Sequence, residues 1–216
     1  MRVAVDATSL IGARTGVGTF TAELIRRLPG RDDLDVSVFA VTRRGAGALA
    51  ASLPPGVRIA QRPMAARPLR WCWRRSDLPP IEWWTGPVDV VHGPNFVVPP
   101  SRRAAEVVTV HDLTCVRFPE MCTADTLQVP GLLRRALRRG AWVHTVSSHV
   151  ASEVVETFGA DPDRVVTVPN GAPAPIAAEL RADLSHRGRH RAGAERYILS
   201  LGTLEPRKDI PSLVRA

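Results

Sequence analysis

The sequence predicts a doubly wound α/β domain, in which helices cover both faces of a parallel sheet. Short continuous apolar runs recur along the chain, and amphipathic stretches with helical spacing separate them. Of the 216 residues, 44% are hydrophobic and 23% are charged, which is the composition of a globular protein. The length is enough for one domain and part of a second. Composition therefore excludes a wholly disordered chain, and no apolar run approaches the ~20 residues that cross a bilayer.

The amino-terminal part of the chain predicts three strands and two helices. Residues 2–6 alternate and are β-branched, which is typical of a strand. A helix is expected over 16–28, with apolar side chains on one face and a Pro-Gly pair after its end. Apolar runs at 36–41 and 57–60 predict the next two strands, and residues 46–53 between them predict a helix.

The middle of the chain is less regular. Residues 61–87 are rich in Pro, Arg and Trp and predict an irregular segment. Strands are expected at 88–92 and 107–110, because both runs are apolar. A helix is expected over about 124–139, where leucines recur at helical spacing, although Pro130 disfavours its first part.

The clearest strand–helix–strand unit follows. Residues 142–146 predict a strand, and Ser147 can cap the next helix through its hydroxyl. Apolar side chains at helical spacing continue that helix to Gly159, a residue type that ends helices. The run 165–168 predicts a further strand, which a Pro-Asn-Gly turn follows.

Beyond this unit the pattern of apolar runs breaks off. Residues 173–195 are rich in Ala, Arg, Gly and Pro without apolar periodicity, and we interpret them as a linker. Residues 197–201 predict one more strand, and a helix is expected to begin at Ile210. One strand–helix unit cannot bury a core of its own. We therefore expect an amino-terminal domain over about 1–172 and the start of a truncated second domain at 196–216.

Polar side chains fall at the carboxyl ends of the predicted strands, where open parallel sheets bind ligands. They are Asp6, His92, His111, Asp112, Ser147 and Asn170. An imidazole such as that of His111 can hydrogen-bond a sugar or exchange a proton near neutral pH. Hydrogen bonding to neighbouring backbone would explain the same residue structurally. Asp112 could orient this histidine or cap the following turn.

Two segments predict anion sites at the amino end of a helix. Gly16 and Gly18 would place free backbone N–H groups and a positive helix dipole beside a strand end, although close packing at a helix start also favours glycine. Arg207 and Lys208 lie between a predicted strand and a helix, where they suit a phosphate; a solvated basic pair is the alternative. Lys208 is the only lysine of the chain.

The formal net charge of +8 suggests anionic partners. All but one of the 29 basic residues are arginine, a bias that also fits genomic composition. From Arg67 to Arg75, arginines alternate with tryptophans, which suits an anionic membrane, a protein partner or a loop anchored by tryptophan. No nucleic-acid-binding motif accompanies this segment, so nucleic acid is not an expected partner.

The cysteines and the amino terminus indicate the compartment. Cys72, Cys115 and Cys122 are odd in number and lack metal-ligand spacing, which favours neither a disulfide framework nor a zinc site. The chain reaches Asp6 too early for the apolar core of a signal peptide. The sequence therefore predicts a cytoplasmic protein.

Six short motifs together resemble those of family 4 glycosyltransferases, in the same order and over nearly the whole chain. They are Val5-Asp6-Ala7, Gly16-Val17-Gly18-Thr19-Phe20, Val110-His111-Asp112-Leu113 with Pro119-Glu120, Val146-Ser147-Ser148, Val168-Pro169-Asn170-Gly171 and Leu201-Gly202-Thr203-Leu204-Glu205-Pro206-Arg207-Lys208. The last motif is the most specific, whereas the glycine motif alone is weak.

The resemblance implies a retaining enzyme of the GT-B fold, often a mannosyltransferase, with two Rossmann-like domains and an active site between them. The first domain would hold the acceptor and the second a nucleotide-diphospho-sugar. Arg207 and Lys208 would bind the donor diphosphate, and Gly16 and Gly18 would approach the donor phosphates or sugar. His111 would contact the donor sugar near the reacting carbon.

The resemblance also bears on cofactors and completeness. No metal or other cofactor is expected, because the basic pair would supply the positive charge that a cation otherwise provides. Asp112 and Asn170, which stand in the shared motifs, would support the site. The paired glutamates of the family lie beyond the residues present here, so this chain is expected to bind nucleotide diphosphates poorly and to be inactive alone.

The expected function is the transfer of a sugar from a nucleotide-diphospho-sugar to the hydroxyl of a glycan, lipid or small-molecule acceptor, with retention of configuration. Mannose is one candidate sugar. The alternatives are a non-catalytic sugar- or nucleotide-binding module and a peripheral-membrane domain that binds through Arg67–Arg75. Weak contact of that segment with anionic lipid would place the protein at the inner face of the membrane.

Overall fold

The chain divides into two compact units, Met1–Pro169 and Asn170–Ala216. The computed structural model describes residues 1–42, 46–60, 62–172, 175–202, 205 and 208–215.

The first unit is built on a parallel sheet of seven strands within the described residues, which confirms the predicted fold class. The strands are β1 (Arg2–Asp6), β2 (Asp35–Phe39), β3 (Arg58–Ile59), β4 (Val90–Gly93), β5 (Ala105–Val110), β6 (Trp142–Thr145) and β7 (Val165–Thr167). Their order is β3-β2-β1-β4-β5-β6-β7, and every neighbouring pair is parallel. The chain builds outward from β1 to β3 and then returns to place β4 beside β1. This Rossmann-like order reverses between β1 and β4, the point where such sheets bind ligands.

Helices cover both faces of this sheet. The helices of the unit are α1 (Gly16–Arg27), α2 (Ala46–Ala50), α3 (Ala66–Trp73), α4 (Glu82–Thr85), α5 (Thr114–Arg117), α6 (Val129–Arg138) and α7 (Ser148–Phe158). Alternate residues of β1 belong to two different apolar clusters: Ala4 packs in one cluster, and Val3 and Val5 pack in the other. Because alternate side chains of a strand point to opposite faces, both faces of the sheet are buried.

Side-chain caps are present at the amino ends of α1 and α7. The Thr15 hydroxyl accepts a hydrogen bond from the backbone N–H of Gly18 at 3.4 Å, although the sequence indicated no cap there. The predicted Ser147 cap accepts from the N–H of Val150 at 3.3 Å. Helix α7 ends at Gly159, whose φ of 64° lies in the left-handed region that favours glycine.

The prediction of an irregular segment at 61–87 was wrong, because this segment contains α3 and α4. Leu69 and Trp73 lie one turn apart on α3 and are both buried. The Trp73 indole N–H donates to the Pro79 carbonyl oxygen at 3.0 Å. The tryptophan that suggested a loop therefore anchors a helix, and the arginines between Arg67 and Arg75 lie on that helix and just after it.

A buried ion pair joins β5 to the end of α6. Arg139 binds both carboxylate oxygens of Glu106, and the shortest N–O distance is 2.7 Å. The two side chains are 14% and 7% exposed. Burial raises the pKa of Glu106, although Arg139 and the backbone N–H of Ser101 favour its charged form.

The second unit contains a helix within the predicted linker and lacks a predicted strand. Helix α8 (Ala178–Ala192) ends at Gly193 with a φ of 66°, and the interpretation of residues 173–195 as a linker stays a prediction. Alanine, leucine and arginine are strong helix formers, and they outweigh the lack of an apolar stripe. The expected strand at 197–201 does not form, since no described strand of this unit is available to pair with it.

The expected helix near Ile210 is present as α9 (Ile210–Arg215). The proposed domain limits, 1–172 and 196–216, remain a prediction. Among the helices described, none combines the length and the hydropathy needed to cross a membrane.

Candidate active site at the carboxyl edge of the sheet

His111 lies directly after β5, at the carboxyl edge of the sheet. Its ring is half-buried between two phenylalanines. Phe20 of α1 approaches it edge-on with centroids 5.2 Å apart, and Phe96 does so at 6.0 Å. Aromatic side chains therefore flank the ring on two sides.

The protonation of His111 follows from its neighbours. Its Nε2 lies 2.9 Å from the carbonyl oxygen of Pro94. A carbonyl can only accept, so Nε2 carries the proton and Nδ1 of the neutral ring is left as an acceptor. Burial lowers the pKa of His111, although the Pro94 hydrogen bond acts in the opposite sense. A neutral imidazole with Nδ1 available can accept a hydrogen bond from a sugar hydroxyl.

A second histidine network lies on the neighbouring strands. His92 Nε2 is 2.8 Å from the Thr109 hydroxyl, and that hydroxyl is 3.1 Å from His144 Nδ1. His144 Nε2 lies 2.9 Å from the Val168 carbonyl. Because this carbonyl requires a donor, His144 carries its proton on Nε2, Thr109 donates to Nδ1, and His92 donates to Thr109.

Within this network, the His92 ring is neutral at neutral pH. Burial, followed by the nearby His144 and His111, lowers the pKa of His92 to about 4. The ring of Phe20 also stacks on His144, with centroids 5.9 Å apart and planes inclined by 15°. Phe20 thus contacts His111 and His144 at once and ties the start of α1 to the histidines.

The sequence did not identify Thr109 and His144 as partners. The two residues face each other in the register of β5 and β6, and this pairing cannot be deduced from apolar runs. The polar side chains inside two buried strands were the available signal, because a buried polar group requires a hydrogen-bond partner.

The two predicted glycines have different surroundings. Gly16 is exposed at the first residue of α1, and a Cβ there would meet open space. Gly18 is buried, and a Cβ there would lie 2.8 Å from the carbonyl oxygen of Ser9. The packing explanation therefore holds for Gly18, whereas no described atom packs against a Cβ built at Gly16.

Asp112 caps the turn that follows His111. Its Oδ1 accepts a hydrogen bond from the backbone N–H of Thr114 at 2.9 Å. Of its two predicted roles, the structure thus shows the cap. Asn170 and Lys208 are exposed residues of the second unit. Arg207 lies outside the described residues.

Asp6 ends β1 and borders a small polar cavity. Its Oδ1 accepts hydrogen bonds from the backbone N–H of Thr8, at 2.8 Å, and from the Thr8 hydroxyl. Burial raises the pKa of this carboxyl, while Thr8 and the charge of Arg70 favour the ionised form. The cavity measures about 210 Å³, and its walls include Asp6, Thr8, Arg70, Trp73, Pro94 and Asn95.

The described part of the chain contains no group of three or more His, Cys, Asp or Glu side chains arranged to hold a metal ion. Cys72, Cys115 and Cys122 are free thiols. That the activity needs no metal stays a prediction.

The fold and this edge define an α/β domain of the Rossmann-like type with a polar site at the carboxyl ends of its strands. Residues 14–174 match the sequence model of Glycosyltransferase Family 4. Since this match covers well over half of the chain, the protein belongs to Glycosyltransferase Family 4.

Known proteins that are similar to this chain include a curated relative and a solved structure. It is 30% identical over 129 residues to O-antigen chain mannosyltransferase B of Escherichia coli, which is 59% of this chain and 34% of the relative. The match therefore spans about a third of that relative's length. The crystal structure of a glycosyltransferase from Rickettsia africae ESF-5 superposes with a TM-score of 0.46 and 13% identity, covering 91% of this chain and 50% of the other.

Proposed function

We propose that this protein transfers a sugar from a nucleotide-diphospho-sugar to an acceptor hydroxyl, with retention of configuration. Membership of Glycosyltransferase Family 4 supports the transferase class. The name of the Escherichia coli relative favours mannose as the sugar. The observation that carries the proposal is His111, a neutral imidazole at the carboxyl edge beside the start of α1.

The donor would extend from His111 toward α1. Phe20 lies in α1 about one turn after Gly16, and its ring contacts the ring of His111. A sugar that donates a hydroxyl to His111 Nδ1 would bring its phosphates toward the open N–H groups at Gly16. Gly18 would act through packing, and Asp112 through the turn that it caps.

The transfer itself balances without a cofactor. The bond between the sugar C1 and the donor phosphate oxygen breaks, and its electron pair leaves on the nucleoside diphosphate. The acceptor oxygen bonds to C1, and its proton passes to a phosphate oxygen. Arg207 and Lys208 would stabilise the charge on that diphosphate, with Asn170 in support, so that no metal ion is required.

The exposed face of α3 would hold the protein weakly at an anionic membrane. Arg67, Trp71 and Arg74 recur at helical spacing, and all three are exposed. The Arg75 guanidinium lies 4.2 Å from the centroid of the Trp71 ring. Each basic residue at such a surface contributes about 1 kcal/mol. Co-sedimentation with anionic vesicles at low salt that disappears at high salt would support this contact, and binding indifferent to salt would contradict it.

The experiment for the transferase uses the protein expressed from its own gene. Radiolabelled UDP- and GDP-sugars are supplied, and the released nucleotide, the product and its anomeric configuration are followed. His111→Ala should reduce turnover by orders of magnitude while the circular dichroism spectrum is unchanged. The matched control is His149→Ala, since the His149 side chain is 76% exposed on α7.

Three results would contradict the proposal. Near-normal turnover in His111→Ala would remove this residue from the mechanism, and an inverted product would exclude retention. Nucleotide or sugar binding without any turnover would assign the protein as a non-catalytic binding module.

A further inference from the structure

We propose that the cavity between Asp6 and Arg70 is the acceptor subsite, and that the acceptor head carries both hydroxyl groups and an anionic group. This inference rests on the proposed function and adds the chemistry of the second substrate. It names Arg70 as a binding residue, which the sequence did not single out for this role.

The location of the cavity is the first argument. Asp6 ends β1, and Pro94 and Asn95 follow β4 directly, so the cavity lies where the strand order reverses. Ligands of doubly wound sheets bind at this point. The cavity also adjoins the reaction centre, because Pro94 lines it and accepts the hydrogen bond from His111. An acceptor bound here would therefore lie on the other side of Pro94 from a sugar held at His111.

The polar groups of the cavity are the second argument. Asp6 uses only Oδ1 for Thr8, and no described residue donates to its Oδ2. The Arg70 guanidinium forms no ion pair or hydrogen bond with a described residue, although its charge acts on Asp6. A carboxylate oxygen that can still accept suits hydroxyl groups, and a free guanidinium suits a phosphate or carboxylate. Together they select a hydroxyl-bearing anion over a neutral sugar.

The wall of the cavity after β4 is held in an unusual conformation. Phe96 has a φ of 61°, which is rare for a residue other than glycine. A Cβ at Gly93 would overlap the Val97 carbonyl, so the chain folds back tightly there. The backbone N–H of Phe96 donates to the Thr109 carbonyl at 2.9 Å and fixes the loop to β5. Strain of this kind clusters at binding sites, where it holds groups in position before the ligand arrives.

The anionic head could come from a soluble sugar phosphate or from a lipid headgroup, because α3 has side chains in the cavity and others on the exposed surface. Its Arg70 and Trp73 line the cavity, whereas Arg67 and Trp71 are exposed to solvent. The shared chemistry is a phosphate with adjacent hydroxyls. The experiment therefore has a soluble arm and a lipid arm.

In the soluble arm, glucose 1-phosphate and methyl glucoside are titrated calorimetrically into the protein expressed from its own gene. Glucose 1-phosphate should bind more tightly, and Arg70→Gln should weaken it by about ten- to hundredfold, the usual loss for a charge-assisted hydrogen bond. Arg70→Lys should restore part of that loss, and Asp6→Asn should weaken both probes. Arg27→Gln, whose side chain is 73% exposed at the end of α1, is the control and should bind both probes as the wild type does.

In the lipid arm, co-sedimentation compares phosphatidylcholine vesicles with equal fractions of phosphatidylglycerol or phosphatidic acid. Only phosphatidylglycerol carries headgroup hydroxyls. If the protein prefers phosphatidylglycerol and Arg70→Gln removes that preference, the acceptor is a lipid. If no lipid is preferred while glucose 1-phosphate binds tightly, the acceptor is soluble. Absence of both effects, or wild-type binding by a folded Arg70→Gln variant, overturns the inference.

An assay of donor hydrolysis in the absence of acceptor tests the proposed function independently of the acceptor subsite. If the wild type hydrolyses the donor and the probes do not bind, only the acceptor subsite is wrong. If the probes bind through Arg70 and no donor is hydrolysed, the cavity stands and the transferase assignment is wrong.

Discussion

Acidification should destabilise the first unit through His92. In the folded protein the Nε2–H of this histidine donates to Thr109, so an added proton must enter at Nδ1 of a largely buried ring. Burial and the neighbouring His144 and His111 oppose that second proton and lower the pKa of His92 to about 4, from 6.5 in the unfolded chain. The unfolded state therefore takes up its proton at a higher pH than the folded state does.

The direction and size of the effect follow from this difference. Stability is fully present above about pH 6.5 and falls as the pH drops toward 4, because only the unfolded state binds the proton in that range. At 1.36 kcal/mol per pH unit, the interval corresponds to about 3 kcal/mol of unfolding free energy. This is a large part of the stability of an ordinary domain.

Urea unfolding at neutral pH and near pH 4 measures this contribution. Carboxylates also titrate in the range, so the quantity of interest is the pH dependence of the wild type minus that of His92→Gln. We expect the variant to lose about 3 kcal/mol less on acidification. His186→Gln serves as the control, because it removes an exposed histidine of the second unit and leaves the buried network intact. If wild type and His92→Gln respond alike to within about 1 kcal/mol, the reasoning from the buried network is refuted.

The remaining predictions concern packing, charge and capping, and urea unfolding at neutral pH measures each of them. Gly18→Ala should cost about 1–3 kcal/mol, because its Cβ would lie 2.8 Å from a backbone oxygen, whereas Gly16→Ala meets open space. Equal costs for the two would contradict the packing role. Glu106→Gln should cost about 3 kcal/mol, since Arg139 stays buried with its main partner neutralised; a loss below about 1 kcal/mol would contradict this. Ser147→Ala should cost about 1 kcal/mol through the lost cap of α7, and an unchanged midpoint would show that water replaces the hydroxyl.

Much of the fold could be predicted because its signals are local. Apolar runs, together with the alternation of residues 2–6, located the seven described strands of the first unit to within a few residues, since a parallel sheet buried on both faces favours such runs. The errors arose where the signal was not local. Helix α3 was missed because Pro and Trp suggested a loop, and its burial depends on Pro79 and the core. Residues 197–201 have the composition of a strand, but they do not form one because no described strand of their unit is available to pair with them.

For the candidate site, the sequence predicted only those residues that lie at the ends of strands. Asp6, His92 and His111 stand directly at these ends, so the sequence placed them at one edge. The link between Thr109 and His144 depends on the register of two strands, which the sequence does not reveal. Arg70 reaches the cavity from a helix that could not be positioned in advance. Long-range arrangement, and not residue type, thus limited the prediction.

The central position of β1 has a consequence for how the protein forms. Val3 pairs with Val36 of β2 on one side and with Val90 of β4 on the other. Contacts between residues so distant in the chain slow folding. We therefore expect β1 and β2 to leave the ribosome well before the partner that completes them, with one apolar edge unpaired for that interval. In the finished sheet the outer strands β3 and β7 have only two and three residues, and such short edges offer little to a second chain. The hazard of aggregation thus belongs to the nascent chain and falls as the strands from β4 to β7 join the sheet in order.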